Sequence, residues 1–249
     1  MHILNPMLCY NSLDIIPYVI EYNRKEDIDI FILDNYSTDG SWEYLQDNHI
    51  PSRRVDSDDA FDLNILLKAK EKLIHEVKPD WVIISGSDCF ILTPDPLIKI
   101  IKNLDQCHFD ITSIPFIRLY NTGEERTNPD PRKVFFNYSV VEFGLPFLHP
   151  YKNFVSYFNG DYIQMKNMEN LQNAILNEAC VLDYGNTRGK EKRDEEYIRR
   201  VLAWNRGLPV RYGMHYKECY EKEWLWNKKE MRDIKKSQYW GLIHNKFNL

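Results

Sequence analysis

Apolar positions in this chain follow two rhythms that alternate through its first hundred residues. Short, largely apolar runs at Ile3–Cys9, Ile28–Leu33 and Trp81–Ile84 have the length of buried strands. Between them the spacing changes to three and four. Leu13, Ile16, Val19 and Ile20 form one such stripe, and Phe61, Ile65, Leu66, Ala69, Leu73 and Val77 a second. Leu97, Ile100, Ile101 and Leu104 form a third, and Trp42, Tyr44 and Leu45 mark a short helix after Asp39-Gly40-Ser41. The punctuation agrees with the periods. Asp14 can cap the first helix, and Pro17 fits only its first turn. Asp58, Asp59 and Asp62 precede the second helix, where the dipole favours acids, and Pro79 ends it. Thr93-Pro94-Asp95-Pro96 opens the third. Strands alternating with helices predict an α/β fold with a mostly parallel sheet flanked by helices.

Beyond residue 105 the pattern loosens. Asp110–Leu119 and Val134–Phe143 read as strands, Asn167–Asn177 and Lys190–Trp204 as helices. Asn121–Lys133, with Gly123, Pro129 and Pro131, reads as a loop and a candidate lid. From Tyr220 onward, Tyr220, Trp224, Asn227, Met231 and Ile234 recur at helical spacing among lysines. Regularity changes but composition does not. One domain over residues 1–249 is therefore expected, with halves 1–104 and 105–249.

Composition narrows the function classes. A net charge of −5 and a pI near 5.8 give no bulk attraction to nucleic acid. The five cysteines contain no Cys-x-x-Cys pair, which argues against a disulfide framework and for a reducing compartment. The first residues do not read as a signal peptide, and no run approaches the ~18 apolar residues of a membrane span. A cytoplasmic protein is expected. Trp224 and Trp226 among basic neighbours allow peripheral membrane contact, but the small cationic excess of Lys217–Lys236 favours a helix packed on the domain.

Two of the apolar runs lead into acidic loops, with Asp34 directly after Leu33 and Asp88 after Ser85-Gly86-Ser87. In open α/β sheets ligands bind at the carboxyl ends of the strands. An acid there can accept from a ribose or a base, and a second can hold a divalent cation against a diphosphate. No Gly-x-Gly-x-x-Gly and no Gly-Lys-Ser/Thr loop is present, so a cation bridge is the natural substitute for a backbone phosphate cradle.

These residues resemble a family. Asp34-Asn35-Tyr36-Ser37-Thr38-Asp39-Gly40-Ser41 is similar to the Asp-Asp/Asn-x-Ser-x-Asp-Gly-Ser/Thr signature of GT-A glycosyltransferases of the family 2 type. Tyr10-Asn11 resembles the pair that closes their first strand. Trp81–Phe90 stands where their Asp-x-Asp strand does. It resembles the subgroup whose motif ends Asp-x-Asp-Glu-Phe, with Gly86 on the first Asp, Asp88 on the second and Cys89 on the Glu. Phe158-Asn159-Gly160-Asp161-Tyr162 and Leu182-Asp183-Tyr184-Gly185-Asn186-Thr187-Arg188 resemble two later segments of that subgroup.

The resemblance implies a GT-A, Rossmann-like sheet and transfer of a sugar from a nucleoside diphosphate sugar to an acceptor hydroxyl, with inversion. It implies nucleotide-sugar contacts from Tyr10, Asn11, Asp34, Asn35, Asn64, Ser87 and Arg188. Mn²⁺ or Mg²⁺ would be held by Asp88 and by Asp183, which stands where the family has His. Asp161 would be the general base, with His149 its competitor. Ser37, Thr38 and Asp39 have a plainer role as helix caps. Two other readings stay open. One is a binding module without catalysis, motivated by the missing first Asp. The other is a sugar-phosphate nucleotidyltransferase, which would want a Gly-rich basic loop that Cys9–Asp14 lacks.

Overall fold

A computed structural model describes residues 1–57, 62–109, 111–120, 137–142, 146–158, 162–166, 172–184, 195, 198, 199, 206 and 232–248. In the first half the elements run β1 (Ile3–Cys9), α1 (Ile16–Lys25), β2 (Asp29–Asp34), α2 (Ser41–Asp47), β3 (Ser52–Arg54), α3 (Leu63–Val77), β4 (Trp81–Ile83), β5 (Cys89–Leu92) and α4 (Leu97–Gln106); β1, β2, β4 and the four helices are those expected, and β3 and β5 are strands the pattern does not announce. The second half is strand-rich: β6 (Ile111–Ser113), β7 (Phe116–Tyr120), β8 (Asn137–Glu142), β9 (Pro146–Pro150), β10 (Phe154–Phe158), β11 (Tyr162–Met165), β12 (Asn173–Ile175), β13 (Cys180–Asp183) and β14 (Arg232–Asp233). A last helix, α5, covers Trp240–Phe247.

The main sheet has the order β12-β6-β9-β4-β1-β2-β3. β1 runs parallel to both β2 and β4, β3 parallel to β2, and β12 parallel to β6. Only β9 runs against its neighbours. The mixed α/β fold with a mainly parallel, helix-flanked sheet is therefore as expected. A second sheet, β14-β8-β7-β13-β5, is mostly antiparallel, and β10 and β11 form a separate pair.

Several local expectations are corrected. The stretch Asp110–Leu119 is not one strand. β6 joins the main sheet and β7 the second, with Ile114-Pro115 between them. Proline has no N–H for a ladder, so the break falls there. Within Asn167–Asn177, expected as a helix, residues 173–175 form β12, because pairing with β6 decides a segment too short for its own propensity to count. The helical spacing from Tyr220 falls mostly outside the described residues. Where description resumes, Arg232–Asp233 pairs with β8 and Ile234–Lys236 makes a single 3₁₀ turn, so the α-helix does not run through Ile234. Ile65, a member of the apolar stripe on α3, is exposed.

The core lies on both sides of the main sheet. α1 and α5 close one face together with β5, β7 and β13, around Phe90, Ile16, Ile20 and Phe247. α3 covers β1 and β2 on the other, through Leu66, Leu73 and Ile74. Asp62 caps α3, accepting from the N–H groups of Asn64 (2.9 Å) and Ile65 (3.3 Å), as an acid before that helix should. The N-cap of α1 is Ile15 rather than Asp14, and Ser12 O accepts the N–H groups of Ile15 and Ile16 instead. Pro17 does sit in the first turn.

His149, on β9, is fully buried and stacks on Phe154 with ring centroids 5.1 Å apart. Burial pushes its pKa down to about 4, so the ring is neutral in the fold. The unfolded chain takes up a proton near pH 6.5, and the folded chain only near 4. Stability contributed by the neutral ring is complete above 6.5 and is lost as pH falls toward 4. Urea melts at pH 7 and about pH 4.5 should therefore show wild type losing roughly 2–3 kcal/mol more than His149→Phe. Equal losses would mean that the ring is not buried neutral.

Candidate functional site

Three loops meet at the carboxyl ends of β1, β2 and β4, and their own side chains hold them together. Asn11, with a positive φ of 46°, donates its backbone N–H to Ser37 Oγ (2.9 Å), and its Oδ1 accepts from Thr38 N (2.7 Å). Ser12 N donates to Ser41 Oγ (2.9 Å), and Ser12 Oγ stands 3.5 Å from Ser87 Oγ. Further down, the buried Asn5 of β1 exchanges hydrogen bonds with Ser85 and also reaches Asn23 of α1. A buried polar side chain in a strand is tolerated when its atoms find partners, and this one ties β1 to the loop after β4.

Within the segment 34–41 the labour is divided. Asp39 starts α2: its Oδ1 accepts from Ser41 N (3.0 Å) and Ser41 Oγ (2.5 Å), and its Oδ2 accepts from Leu13 N (3.1 Å). Ser37 and Thr38 do not cap the helix. They bind Asp34 and Asn11. Asp34 is fully buried. Its Oδ1 accepts from Ser37 Oγ at 2.5 Å and its Oδ2 from Ser37 N at 3.1 Å, with Arg54 Nε 3.7 Å away. Burial raises its pKa, and the Ser37 bonds and the Arg54 charge pull the other way. The Arg54 guanidinium lies over the rings of Tyr36 (4.9 Å) and Trp42 (4.6 Å).

Tyr10, Asn11 and Asn35 gather at one spot. Tyr10 Oη and Asn11 Nδ2 both donate to Glu195 Oε1, each at 2.7 Å. Burial and the Glu195 contact push the Tyr10 phenol up to about 12. The Asn35 amide is oriented by its neighbours: the nitrogen donates to Val55 O (3.0 Å), and the oxygen accepts from Arg199 Nη2 (2.6 Å). The Arg199 guanidinium also lies 3.4 Å above the Tyr10 ring.

The second cluster is built across the β5–β13 pair, where Asp183 stands opposite Cys89. The ligand atoms of Asp88, Cys89 and Asp183 lie within 4.8 Å of one another. Tyr184 N donates to Asp88 O (3.0 Å), which fixes the backbone at the strand start. Cys89 is buried, and burial together with both carboxylates holds its thiol pKa well above the ordinary value. The thiol therefore stays protonated, with Sγ donating to Asp88 Oδ1 at 3.5 Å. Two half-buried acids with a protonated thiol make a hard oxygen donor set, which fits Mg²⁺ or Mn²⁺ better than a thiophilic metal.

Of the residues expected from the sequence, Tyr10, Asn11, Asp34, Asn35 and Ser87 fall in the joined loops, and Asp88 and Asp183 in the acidic cluster. Asn64 sits exposed on the first turn of α3. Asp161, Arg188 and the loop 121–133 lie outside the described residues. His149 is sealed in the core instead of facing an acceptor. Sequence reasoning missed Ser12, Arg54, Glu195 and Arg199. Ser12 directly follows Tyr10-Asn11 and is within reach of that motif, but nothing local announces that Glu195 and Arg199 return to the end of the first strand.

No protein-family model matches the chain, and no curated protein matches it either. Among solved structures it is similar to S. aureus TarS, at 13% identity over 90% of this chain and 43% of that one, with a TM-score of 0.48. The chain thus spans less than half the length of TarS. It is also similar to glucosyl-3-phosphoglycerate synthase from Mycobacterium tuberculosis, at 14% identity over 84% of this chain and 81% of that one (TM-score 0.43). A third is a CMP:2-keto-3-deoxy-manno-octonic acid synthetase, at 12% identity over 92% and 100% (TM-score 0.37). Among the described residues, no helix is long and apolar enough to cross a membrane.

Proposed function

We propose that the chain is a GT-A-type glycosyltransferase that binds a nucleoside diphosphate sugar at the carboxyl ends of β1, β2 and β4. The observation that carries this reading is the convergence of two carboxylates, Asp88 and Asp183, beside three joined loops. Tyr10, Asn11 and Asn35 offer the ring face and amides that a base and ribose need. Asp34 braces the loop that presents Asn35, and Ser87 borders the acidic pair. Asp88 and Asp183 would hold Mn²⁺ or Mg²⁺, which when bound neutralises charge on a diphosphate leaving group. Residues 105–249 would supply the acceptor side, with Asp161 as base for a glycan or other hydroxyl and Arg188 on the diphosphate. A displacement of this kind needs no protein nucleophile, so positioning and charge complementarity would do the chemistry.

The experiment is a thermal-shift panel of UDP-, GDP- and CMP-sugars with and without MnCl₂, followed by hydrolysis and transfer assays. A donor at about 100 times its Kd should add about 2.7 kcal/mol of apparent stability. Asp88→Asn and Asp183→Asn should each lose the Mn²⁺-dependent part of that shift while keeping the melting point of the unliganded protein within a few degrees. Binding without hydrolysis or transfer would favour a non-catalytic module, and no shift with any donor would remove the nucleotide-sugar reading.

A further inference from the structure

We propose that Glu195 and Arg199 form a latch that the chain closes over its own base-binding face, so that a nucleotide enters only when these two side chains lift away. The proposal rests on the nucleotide-sugar reading given above. Its basis is that two side chains four residues apart engage three of the residues expected to meet the nucleotide. Glu195 and Arg199 both have helical backbone and stand four positions apart in the chain. Glu195 Oε1 accepts from the phenol of Tyr10 and the amide of Asn11 in hydrogen bonds of 2.7 Å each. Arg199 Nη2 meets the Asn35 oxygen at 2.6 Å.

The decisive distance is the 3.4 Å between the Arg199 guanidinium carbon and the Tyr10 ring centroid. That is van der Waals contact between two flat groups, and it fills the stacking position a planar base would take. Base and guanidinium cannot share that face. The Asn11 and Asn35 amides are engaged by the same two side chains. Arg199 is buried, so the contact is a packed one and not a loose surface pair. Opening the latch leaves Glu195 and Arg199 to water, where both are well solvated, and a base then replaces the guanidinium on the ring.

A protein whose binding-competent state is a minor fraction shows an apparent Kd divided by that fraction. A closed state populated at about 90% or more therefore predicts that releasing the latch tightens binding by about tenfold or more. The test is calorimetric titration of the full chain with UDP, GDP and CMP in MnCl₂, comparing wild type with Arg199→Ala, Arg199→Lys and Glu195→Gln. The expected result is tighter binding in all three, largest for Arg199→Ala, and faster backbone amide exchange at Glu195, Ile198 and Arg199 of wild type when nucleotide is added. Lysine keeps the charge without the flat stacking group, so Arg199→Lys serves should the alanine variant fail to fold. Weaker binding in the folded variants would make Arg199 and Glu195 ligand contacts and overturn the latch. Equal binding would overturn it as well. If no nucleotide binds any form, the nucleotide reading itself fails and the latch goes with it.

Discussion

Replacing Phe90 with alanine is expected to lower the free energy of unfolding by about 3–5 kcal/mol, measured by urea denaturation at pH 7. Phe90 is fully buried on β5. Its ring meets Tyr22 of α1 edge-on at 5.7 Å, Tyr184 at 5.2 Å and Phe247 of α5 at 5.4 Å. One ring thus bridges the first helix, the end of β13 and the last helix. Alanine would leave a cavity bounded by three rigid rings, and rigid walls relax poorly. Each aromatic pair also contributes about 0.5–1.5 kcal/mol beyond its buried area. Against a total stability of about 5–15 kcal/mol, the loss is a large share. A loss under about 1 kcal/mol, well below the range for a buried aromatic, would show that α5 does not pack against β5 as described.

Substituting Gly86 is expected to disable the acidic pair without unfolding the chain. A Cβ at this position would lie 2.5 Å from Asp88 Oδ1 and 3.4 Å from Cys89 Sγ. The atom in the way is the tip of a short side chain, so the backbone can stay while the Asp88 carboxylate swings from Asp183. Gly86→Ala should weaken Mn²⁺-dependent nucleotide binding by about 10- to 100-fold, the range typical of disturbed ligand orientation at metal sites. Gly86→Asp is the sharper case. It writes in the acid that the Asp-x-Asp pattern lacks, yet it should weaken binding too, because its own Cβ meets Asp88 first. Titration of both variants with MnCl₂ and a bound nucleotide distinguishes the outcomes: a gain in affinity for Gly86→Asp would show that Asp88 has room to yield.

The two substitutions mark where local pattern reveals structure and where it does not. From β1 to α4, buried runs and amphipathic stripes signal their own elements, so most of the order follows from periodicity. β3 (Ser52–Arg54) carries no such signal, and β5 is the other exception. Its Cys89-Phe90-Ile91-Leu92 run follows directly on the Asp88 loop, and its partner β13 lies in the other half of the chain. Pairing between distant segments leaves no local trace, which is why the second sheet is not legible in the sequence. The acids of the site are legible because they follow apolar runs or match a spaced motif. Their roles are less so. Ser37 looks like a helix cap in sequence, but it turns inward to hold Asp34, and only the three-dimensional path of the loop shows this.

The register that sets Asp183 opposite Cys89 also fixes when the acidic pair can exist. β13 lies between β5 and β7, so Asp183 reaches Asp88 only after a long stretch of intervening chain has been made. Contacts of such long sequence separation form late, since the closing of a large loop must precede any gain from it. A chain emerging from the ribosome would display the complete segment 34–41 well before it could gather two carboxylates. If the pair takes a cation as proposed, capture at this site would report that the second half has folded back onto the first, since an unfinished or misassembled chain would lack the paired carboxylates.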